Sequence, residues 1–113
     1  MKEIKAIVQP FRVCRIVEAL RQIPDLPGVT VSDIRGFGRQ RAVNAPNPVV
    51  EGTISYVKKA KLEIVVPDEL VEEVIRTIRE NAHTGNPGDG KIFVRALDDV
   101  VRIRTGERGK EAV

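Results

Sequence analysis

The sequence contains few of the residues from which redox, metal and stacking sites are built. Its 113 residues include one cysteine, one histidine, one tyrosine, three phenylalanines and no tryptophan. The single cysteine, Cys14, excludes an internal disulfide and is typical of a chain kept in a reducing cytoplasm. His83 provides no local catalytic partner for Cys14, and no residues have the spacing of a metal-ligand set. The sequence therefore predicts no catalytic group, and we expect the protein not to be an enzyme.

The charge pattern also argues against nucleic-acid binding. The net charge is +3 without a run of basic residues, and few aromatic side chains are present for base stacking. No apolar run reaches the length of a membrane span, and the N-terminus lacks the pattern of a signal peptide. We expect one cytoplasmic domain over residues 1–113, with membrane contact only through a partner transporter.

Hydrophobic periodicity predicts four main strands and two helices. Alternating residues indicate strands over 4–9, 29–36, 61–66 and 91–97, and apolar residues at helical spacing indicate helices over 13–23 and 68–82. Asp68 is predicted to cap the second helix. The order strand, helix, strand, strand, helix, strand predicts a ferredoxin-like α+β fold, with both helices on one face of a four-stranded antiparallel sheet. A short final strand is predicted over 102–104, followed by a loose polar tail over 105–113.

The sheet face opposite the helices carries a mixed set of residues. Ile7 and Val65 lie there among charged residues such as Lys5, Lys61 and Glu63. This face is too apolar to be left wholly in water and too charged for the core of a monomer. A homo-oligomer that closes these faces together is a reasonable interpretation.

A long irregular segment is predicted between residues 36 and 56. Pro46, Pro48 and Gly52 interrupt regular structure there, and connections of this length inside a compact domain are uncommon. The segment is either an exposed loop that a ligand or partner orders, or a loose insertion.

The stretch from Thr84 to Lys91 has the composition of an anion-binding loop. Its three glycines allow the backbone to approach a ligand closely, consecutive N–H groups can form a concave anion site, and Lys91 adds a full positive charge. It lacks the spacing of a Walker A loop. Loops rich in glycine and proline also serve as plain connections, so this stretch alone leaves both interpretations open.

Two further basic elements could contribute to the same site. Arg39 and Gln40 follow two glycines where the long segment leaves the sheet. Arg102 and Arg104, two residues apart, would project to the same side of a strand, and guanidinium groups match the geometry of phosphate oxygens. The alternative is that the two arginines lie in a solvated edge strand, where charge discourages aggregation.

These motifs together resemble the PII signal-transduction family. The resemblance rests on Gly36-Phe37-Gly38-Arg39-Gln40, Thr84-Gly85-x-x-Gly88-Asp89-Gly90-Lys91-Ile92-Phe93-Val94 and Arg102-Ile103-Arg104-Thr105-Gly106-Glu107, together with the opening Ile7-Val8-Gln9-Pro10-Phe11. It implies a trimer of ferredoxin-like subunits that binds ATP or ADP in clefts between neighbouring subunits. Residues 38–56 correspond to the family's T-loop, 83–91 to its B-loop and 102–106 to its C-loop region.

The resemblance also implies a set of site residues. The implied nucleotide-binding residues are Thr30, Gly38, Arg39, Gln40, Glu63, Val65, Gly88, Asp89, Gly90, Lys91, Arg102, Ile103 and Arg104. Of these, Thr30, Glu63 and Val65 match positions that contact the adenine end of the nucleotide. Family members often bind 2-oxoglutarate beside Mg-ATP. In that arrangement Gln40 would help to hold the magnesium ion, and Lys59 would pair with a carboxylate of the metabolite.

The T-loop departs from the family pattern. The family's modifiable tyrosine falls at Gly52, and the serine used by some members falls at Val50, so modification at the usual position is not expected. The loop would control an unidentified enzyme, transporter or regulator. The alternatives are a regulator of carbon uptake or metal efflux that responds to nucleotide without 2-oxoglutarate, a slow ATPase, and a metal-responsive trimer of related fold.

Overall fold

The computed structural model describes residues 1–37, 48–51 and 54–113, which form an antiparallel sheet with two α-helices packed on one face. The strands are β1 (Lys2–Val8), β2 (Thr30–Gly36), β3 (Pro48–Glu51), β4 (Ile54–Val66) and β5 (Lys91–Ala96), and the helices are α1 (Val13–Leu20) and α2 (Val71–Ala82). Short 3-10 turns lie at Pro10–Arg12, Asp68–Leu70 and Gly109–Ala112. The strand order is β2-β4-β1-β5, and β3 pairs with the beginning of β4. This arrangement confirms the predicted ferredoxin-like α+β fold.

The core lies between the sheet and the helices, as the alternation predicts. The central strands β1 and β4 contribute the buried residues Ile4, Ala6, Val8, Ala60, Leu62, Ile64 and Val66, and the helices contribute Ile16, Leu20, Val71, Val74, Ile78 and Ala82. Ile4 lies opposite Ile64 in the β1–β4 register, so the two strands present one continuous apolar surface to the helices. Burying each large aliphatic side chain stabilises the fold by about 1.5–3 kcal/mol.

The opposite face of the sheet is only partly covered in the single chain. Phe93 on the edge strand β5 is 45% exposed, and the Lys5 ammonium lies 5.1 Å from the centre of its ring. Glu3 and Arg95 form an ion pair of 2.8 Å across β1 and β5. Apolar and charged side chains therefore alternate on this face, as predicted.

The segment between residues 36 and 56 is more regular than predicted. Strand β3 forms at Pro48–Glu51, and β4 begins at Ile54 rather than near residue 61. The prediction of an irregular chain up to Tyr56 was therefore wrong for these residues. Cross-strand pairing with β2 and β3 extends β4 beyond the part with a clear apolar pattern. The remainder of the T-loop prediction, residues 38–47 and 52–53 with Gly52, lies outside the described residues.

The C-terminal region differs from its prediction in two respects. Residues 102–104 do not form a strand; they lie in a turn closed by an isolated bridge between Val101 and Arg108. Residues 105–113 are not loose, because they complete this turn and continue into the 3-10 turn at Gly109–Ala112. Alternating arginines are equally compatible with a tight turn, which sequence periodicity does not distinguish from three residues of strand.

The cap predicted for the second helix was also wrong. The Asp68 side chain makes no capping hydrogen bond; one of its oxygens accepts a hydrogen bond of 2.8 Å from the N-terminal ammonium of Met1. This contact lowers the pKa of Asp68. Among the described helices, none is long and apolar enough to cross a membrane.

Candidate functional site

The B-loop connects α2 to β5, and its glycines adopt conformations that other residues rarely take. Gly88 and Gly90 have φ values of +97° and +103°. A Cβ atom at Gly90 would lie 1.7 Å from the carbonyl oxygen of Ile7, so the loop backbone presses directly against strand β1. Glycine is therefore required at residue 90 both for its backbone angles and for space.

Asp89 organises the first half of the B-loop. Its carboxylate accepts hydrogen bonds from the backbone N–H groups of Thr84 (2.8 Å) and Gly85 (2.9 Å) and from the Thr84 hydroxyl. Burial raises the pKa of Asp89, but these hydrogen bonds outweigh burial and hold the pKa below its ordinary value. The side chain is thus ionised at neutral pH, and its oxygens are engaged by hydrogen bonds within the loop. Asp89 therefore shapes the site by fixing the loop backbone.

The second half of the B-loop is held by the carbonyl oxygen of Gly88. This oxygen accepts hydrogen bonds from the Lys59 ammonium at 2.5 Å and from Nε2 of Gln9 at 3.0 Å. Partial burial lowers the pKa of Lys59, and the charge of Asp89 offsets part of that shift. Lys59 therefore provides a desolvated cation beside the loop, where it can bind a carboxylate or phosphate group.

Three residues predicted for the base end of the nucleotide lie together elsewhere on the sheet. Thr30 and Glu63 are direct cross-strand partners, and with Val65 they line a cavity of about 430 Å³. Glu3, Gly28 and Val100 are among its other lining residues. The Glu63 carboxylate lies 3.6 Å from the Lys61 ammonium. The cavity thus combines an apolar wall with hydroxyl and carboxylate acceptors.

The predicted two-arginine element occupies the exposed turn after β5. Nη1 of Arg102 lies 3.1 Å from the Glu107 carboxylate, and the Arg102 backbone N–H donates to the Glu107 carbonyl oxygen at 2.8 Å. Ile103 is fully exposed (101%), and Arg104 is exposed beside it. In the single chain the turn therefore presents a positive and an apolar side chain to the surroundings.

The structure divides the predicted site residues into two groups, or half-sites, that lie apart on the sheet. Gly88, Asp89, Gly90 and Lys91 lie with Lys59 at one end of the open face of the sheet, whereas Thr30, Glu63 and Val65 lie towards the other end. From Lys59 to Glu63 or Val65 along β4 is about 13–20 Å at ordinary strand rise. The turn after β5, residues 99–108, is called the arginine turn. Within the described residues, no hydrogen bond or ion pair joins it to the B-loop. Gly38, Arg39 and Gln40 lie outside the described residues.

The sequence patterns did not predict several residues that shape the B-loop and the arginine turn. Gln9 was placed only by strand alternation, yet its side chain is buried against the B-loop. Arg12 donates from Nη2 to the carbonyl oxygen of His83 at the start of the loop. Arg108 and Asp99 form a two-hydrogen-bond ion pair that closes the arginine turn. These contacts join residues 9 to 79 positions apart, and no local pattern predicts them.

The sequence matches known proteins along almost its whole length. Residues 1–107 match the family described as nitrogen regulatory protein P-II. The nitrogen regulatory protein P-II of Azospirillum brasilense is 44% identical over 113 residues, which cover all of both chains. The protein of the same name from Rhodospirillum rubrum is 45% identical over the same full length. Both relatives carry the name of a regulatory protein rather than of an enzyme.

A plant structure gives the same result at the level of the fold. The crystal structure of Arabidopsis thaliana PII bound to citrate superimposes with a TM-score of 0.79 at 46% sequence identity, over 99% of this chain and 91% of that one. Fold, motifs and relatives therefore agree, and the chain belongs to the PII family of signal-transduction regulators, the nitrogen regulatory protein P-II family.

Proposed function

We propose that the protein is a homotrimeric regulator that binds ATP or ADP between its subunits and controls a partner protein through its T-loop. The observation that carries this proposal is the B-loop. Its backbone is held in a glycine-dependent conformation, its one carboxylate is engaged within the loop, and Lys91 stands at its end. A fixed loop whose Asp89 N–H has no acceptor among the described residues, with a neighbouring ammonium, is suited to polyphosphate.

The separation of the two half-sites supports a cleft between subunits. One chain offers the B-loop half at Lys59, in the middle of β4, and the base-binding half about 13–20 Å further along that strand, so a neighbouring copy can supply the half that the first lacks. The exposed Ile103 and the partly apolar open face also favour contact with another copy. In this proposal Arg102 and Arg104 contact the phosphates held by the B-loop of the adjacent subunit.

A small carboxylate metabolite is the second ligand that we propose. Lys59 is partly desolvated beside the B-loop, and a carboxylate there would replace or share its contact with Gly88. The Arabidopsis relative binds citrate in its crystal structure, and citrate is a polycarboxylate. 2-Oxoglutarate is the candidate from the family resemblance.

Magnesium would enter the site together with the nucleotide. The described residues contain no group of three or more acidic, histidine or cysteine side chains that could hold a metal ion. The phosphates and retained water molecules would therefore provide most of the ligands, as is usual for magnesium, and the Gln40 amide oxygen would be the protein ligand. Magnesium bound in this way would neutralise part of the phosphate charge.

Titration calorimetry with ATP and with ADP tests the nucleotide site. We expect Lys91→Ala and Arg104→Ala each to weaken binding by about ten- to hundredfold, because each removes a charge-assisted contact. Arg76→Ala, which removes an exposed positive charge from α2, is the matched control and should bind as the unmodified protein does. Sedimentation should give a mass of three 12.5 kDa chains. Unchanged affinity in both site variants, or a monomer that binds nucleotide fully, would contradict the proposal.

A further inference from the structure

The turn that follows β1 holds the B-loop at both of its ends. Nη2 of Arg12 donates to the carbonyl oxygen of His83, the first residue of the loop, at 3.1 Å. Nε2 of Gln9 donates to the carbonyl oxygen of Gly88, near the end of the loop, at 3.0 Å. Two side chains three residues apart thus fix a loop that is more than seventy residues away in the sequence.

The contact made by Gln9 determines the direction of a backbone donor. In a planar trans peptide the C=O and N–H groups point in opposite directions. The Gly88 carbonyl points towards Gln9 and Lys59, so the N–H of Asp89 points away from them. No group in the described ranges accepts a hydrogen bond from this N–H. The peptide is therefore oriented to offer a donor on the side where an anion can bind.

Each of these two side chains has a buried polar atom without a partner among the described residues, which costs free energy. Gln9 is 8% exposed and is the one buried polar residue of the described chain. Its Oε1 atom, like the Nε atom of Arg12, is buried without a partner among the described residues. An apolar residue at either position would avoid an unsatisfied polar atom but would also lose the contact with the B-loop.

We propose that Gln9 and Arg12 are positioning residues for the anion-binding conformation of the B-loop; this inference rests on the proposed nucleotide site. Lys59 shares the Gly88 carbonyl with Gln9. When a carboxylate ligand draws the Lys59 ammonium away, Gln9 remains as the donor that keeps the Gly88–Asp89 peptide in place. Gln9 thereby allows the metabolite and the phosphates to be bound at the same time.

Substitution of each side chain, with matched controls, tests the inference. Gln9→Met keeps the length of the side chain and removes the donor, and Gln22→Met makes the same change at an exposed position of the chain remote from the loop. Arg12→Met removes the second contact, and Arg12→Lys keeps a cationic donor. The measurements are ATP affinity by calorimetry, amide hydrogen exchange of residues 84–90 in the ligand-free protein, and the urea midpoint.

We expect Gln9→Met and Arg12→Met each to weaken ATP binding by about three- to tenfold, the loss of one net hydrogen bond. Exchange should accelerate within 84–90 alone, the urea midpoint should stay unchanged, and Arg12→Lys should restore part of the affinity. Unchanged affinity and exchange in both Met variants would overturn the inference while leaving the nucleotide site intact. If the unmodified protein binds no nucleotide, the proposed function fails, and exchange of the loop then decides whether the two residues fix its conformation.

Discussion

The B-loop and the arginine turn present charged or polar groups to the same proposed ligand, but they are held in different ways. Side chains 29, 71 and 79 positions away, from Lys59, Arg12 and Gln9, fix the B-loop. The arginine turn is closed by its own ion pairs, Arg102 with Glu107 and Arg108 with Asp99, over five and nine positions. The first region is therefore part of the fold, whereas the second is a local structure on the surface.

In the proposed nucleotide site, this difference would give the two regions separate roles. Contacts with the rest of the fold pre-organise the B-loop, so a ligand does not have to order it. Exposed ion pairs contribute little free energy, so the arginine turn can change its contacts at small cost when a ligand arrives. In the site that we propose between copies, the B-loop would be the rigid part and the arginine turn the adaptable part.

The largest contrast is expected between two glycines, one in each region. In Gly90→Ala the new Cβ would meet the Ile7 carbonyl oxygen at 1.7 Å, in a backbone conformation with φ of +103°. We expect this change to lower the free energy of unfolding by at least about 3 kcal/mol. Gly106→Ala has a φ of +75° but meets no atom within 4 Å, so about 1 kcal/mol is expected. Urea unfolding of both variants measures the difference.

Equal costs for the two variants would mean that the B-loop moves away from β1 to make room, and that it is not fixed by the fold. The B-loop would then be as adaptable as the arginine turn. Gly88→Ala offers an intermediate test, because its Cβ would lie 3.1 Å from Nε2 of Gln9, a side chain that is able to move.

Lowering the pH is expected to have a smaller effect on the free energy of unfolding, through the hydrogen bonds of Asp89 in the B-loop. The folded-state pKa of Asp89 lies below its ordinary value near 4, so its stabilising hydrogen bonds are fully present above that pH and are lost as the pH falls through the folded-state pKa. Asp89→Asn should lower the free energy of unfolding by about 1–2 kcal/mol at pH 7. It should also remove part of the loss of stability in acid. A pH series of urea unfolding curves would contradict this assignment if both proteins lost stability in parallel.

The sequence predicts those parts of the structure that follow from periodicity and composition. The alternation of Ile4, Ala6 and Val8 and the helical spacing of Val74 and Ile78 predict the core, because burial of one face imposes those periods. The glycines between residues 85 and 90 predicted a loop, and a loop connects α2 to β5 there. These features depend on local chemistry. The distant contacts that hold the B-loop were not predicted.

Features that depend on specific contacts, whether within a turn or between distant segments, were not predicted. The arginine turn was assigned as a strand because Arg102 and Arg104 alternate, whereas its conformation depends on Glu107 and on the bridge between Val101 and Arg108. The extension of β4 to Ile54 depends on pairing with β3, and its residues alone lack an apolar alternation. The role of Gln9 depends on a loop 79 positions further along the chain.

The smallest effect is expected at Glu107, where the arginine turn already holds a carboxylate against Arg102. Its Oε1 atom accepts hydrogen bonds from Nη1 of Arg102 at 3.1 Å and from the Thr105 hydroxyl at 2.9 Å. In the proposed site a phosphate oxygen and the Glu107 carboxylate would compete for the charge of the Arg102 guanidinium. Glu107→Gln keeps an acceptor but removes the charge, and ATP affinity should therefore rise about two- to fivefold, the range set by an exposed ion pair.

Salt dependence separates competition from a purely structural role of Glu107. Screening weakens an exposed ion pair, so the advantage of Glu107→Gln over the unmodified protein should shrink as ionic strength rises from 0.05 M to about 0.5 M. Glu80→Gln, the same change at an exposed position on α2, controls for net charge. Weaker ATP binding by Glu107→Gln at every ionic strength would show instead that Glu107 holds the turn in its binding conformation. In that case the arginine turn, like the B-loop, would be pre-organised, and the contrast between the two regions would not hold.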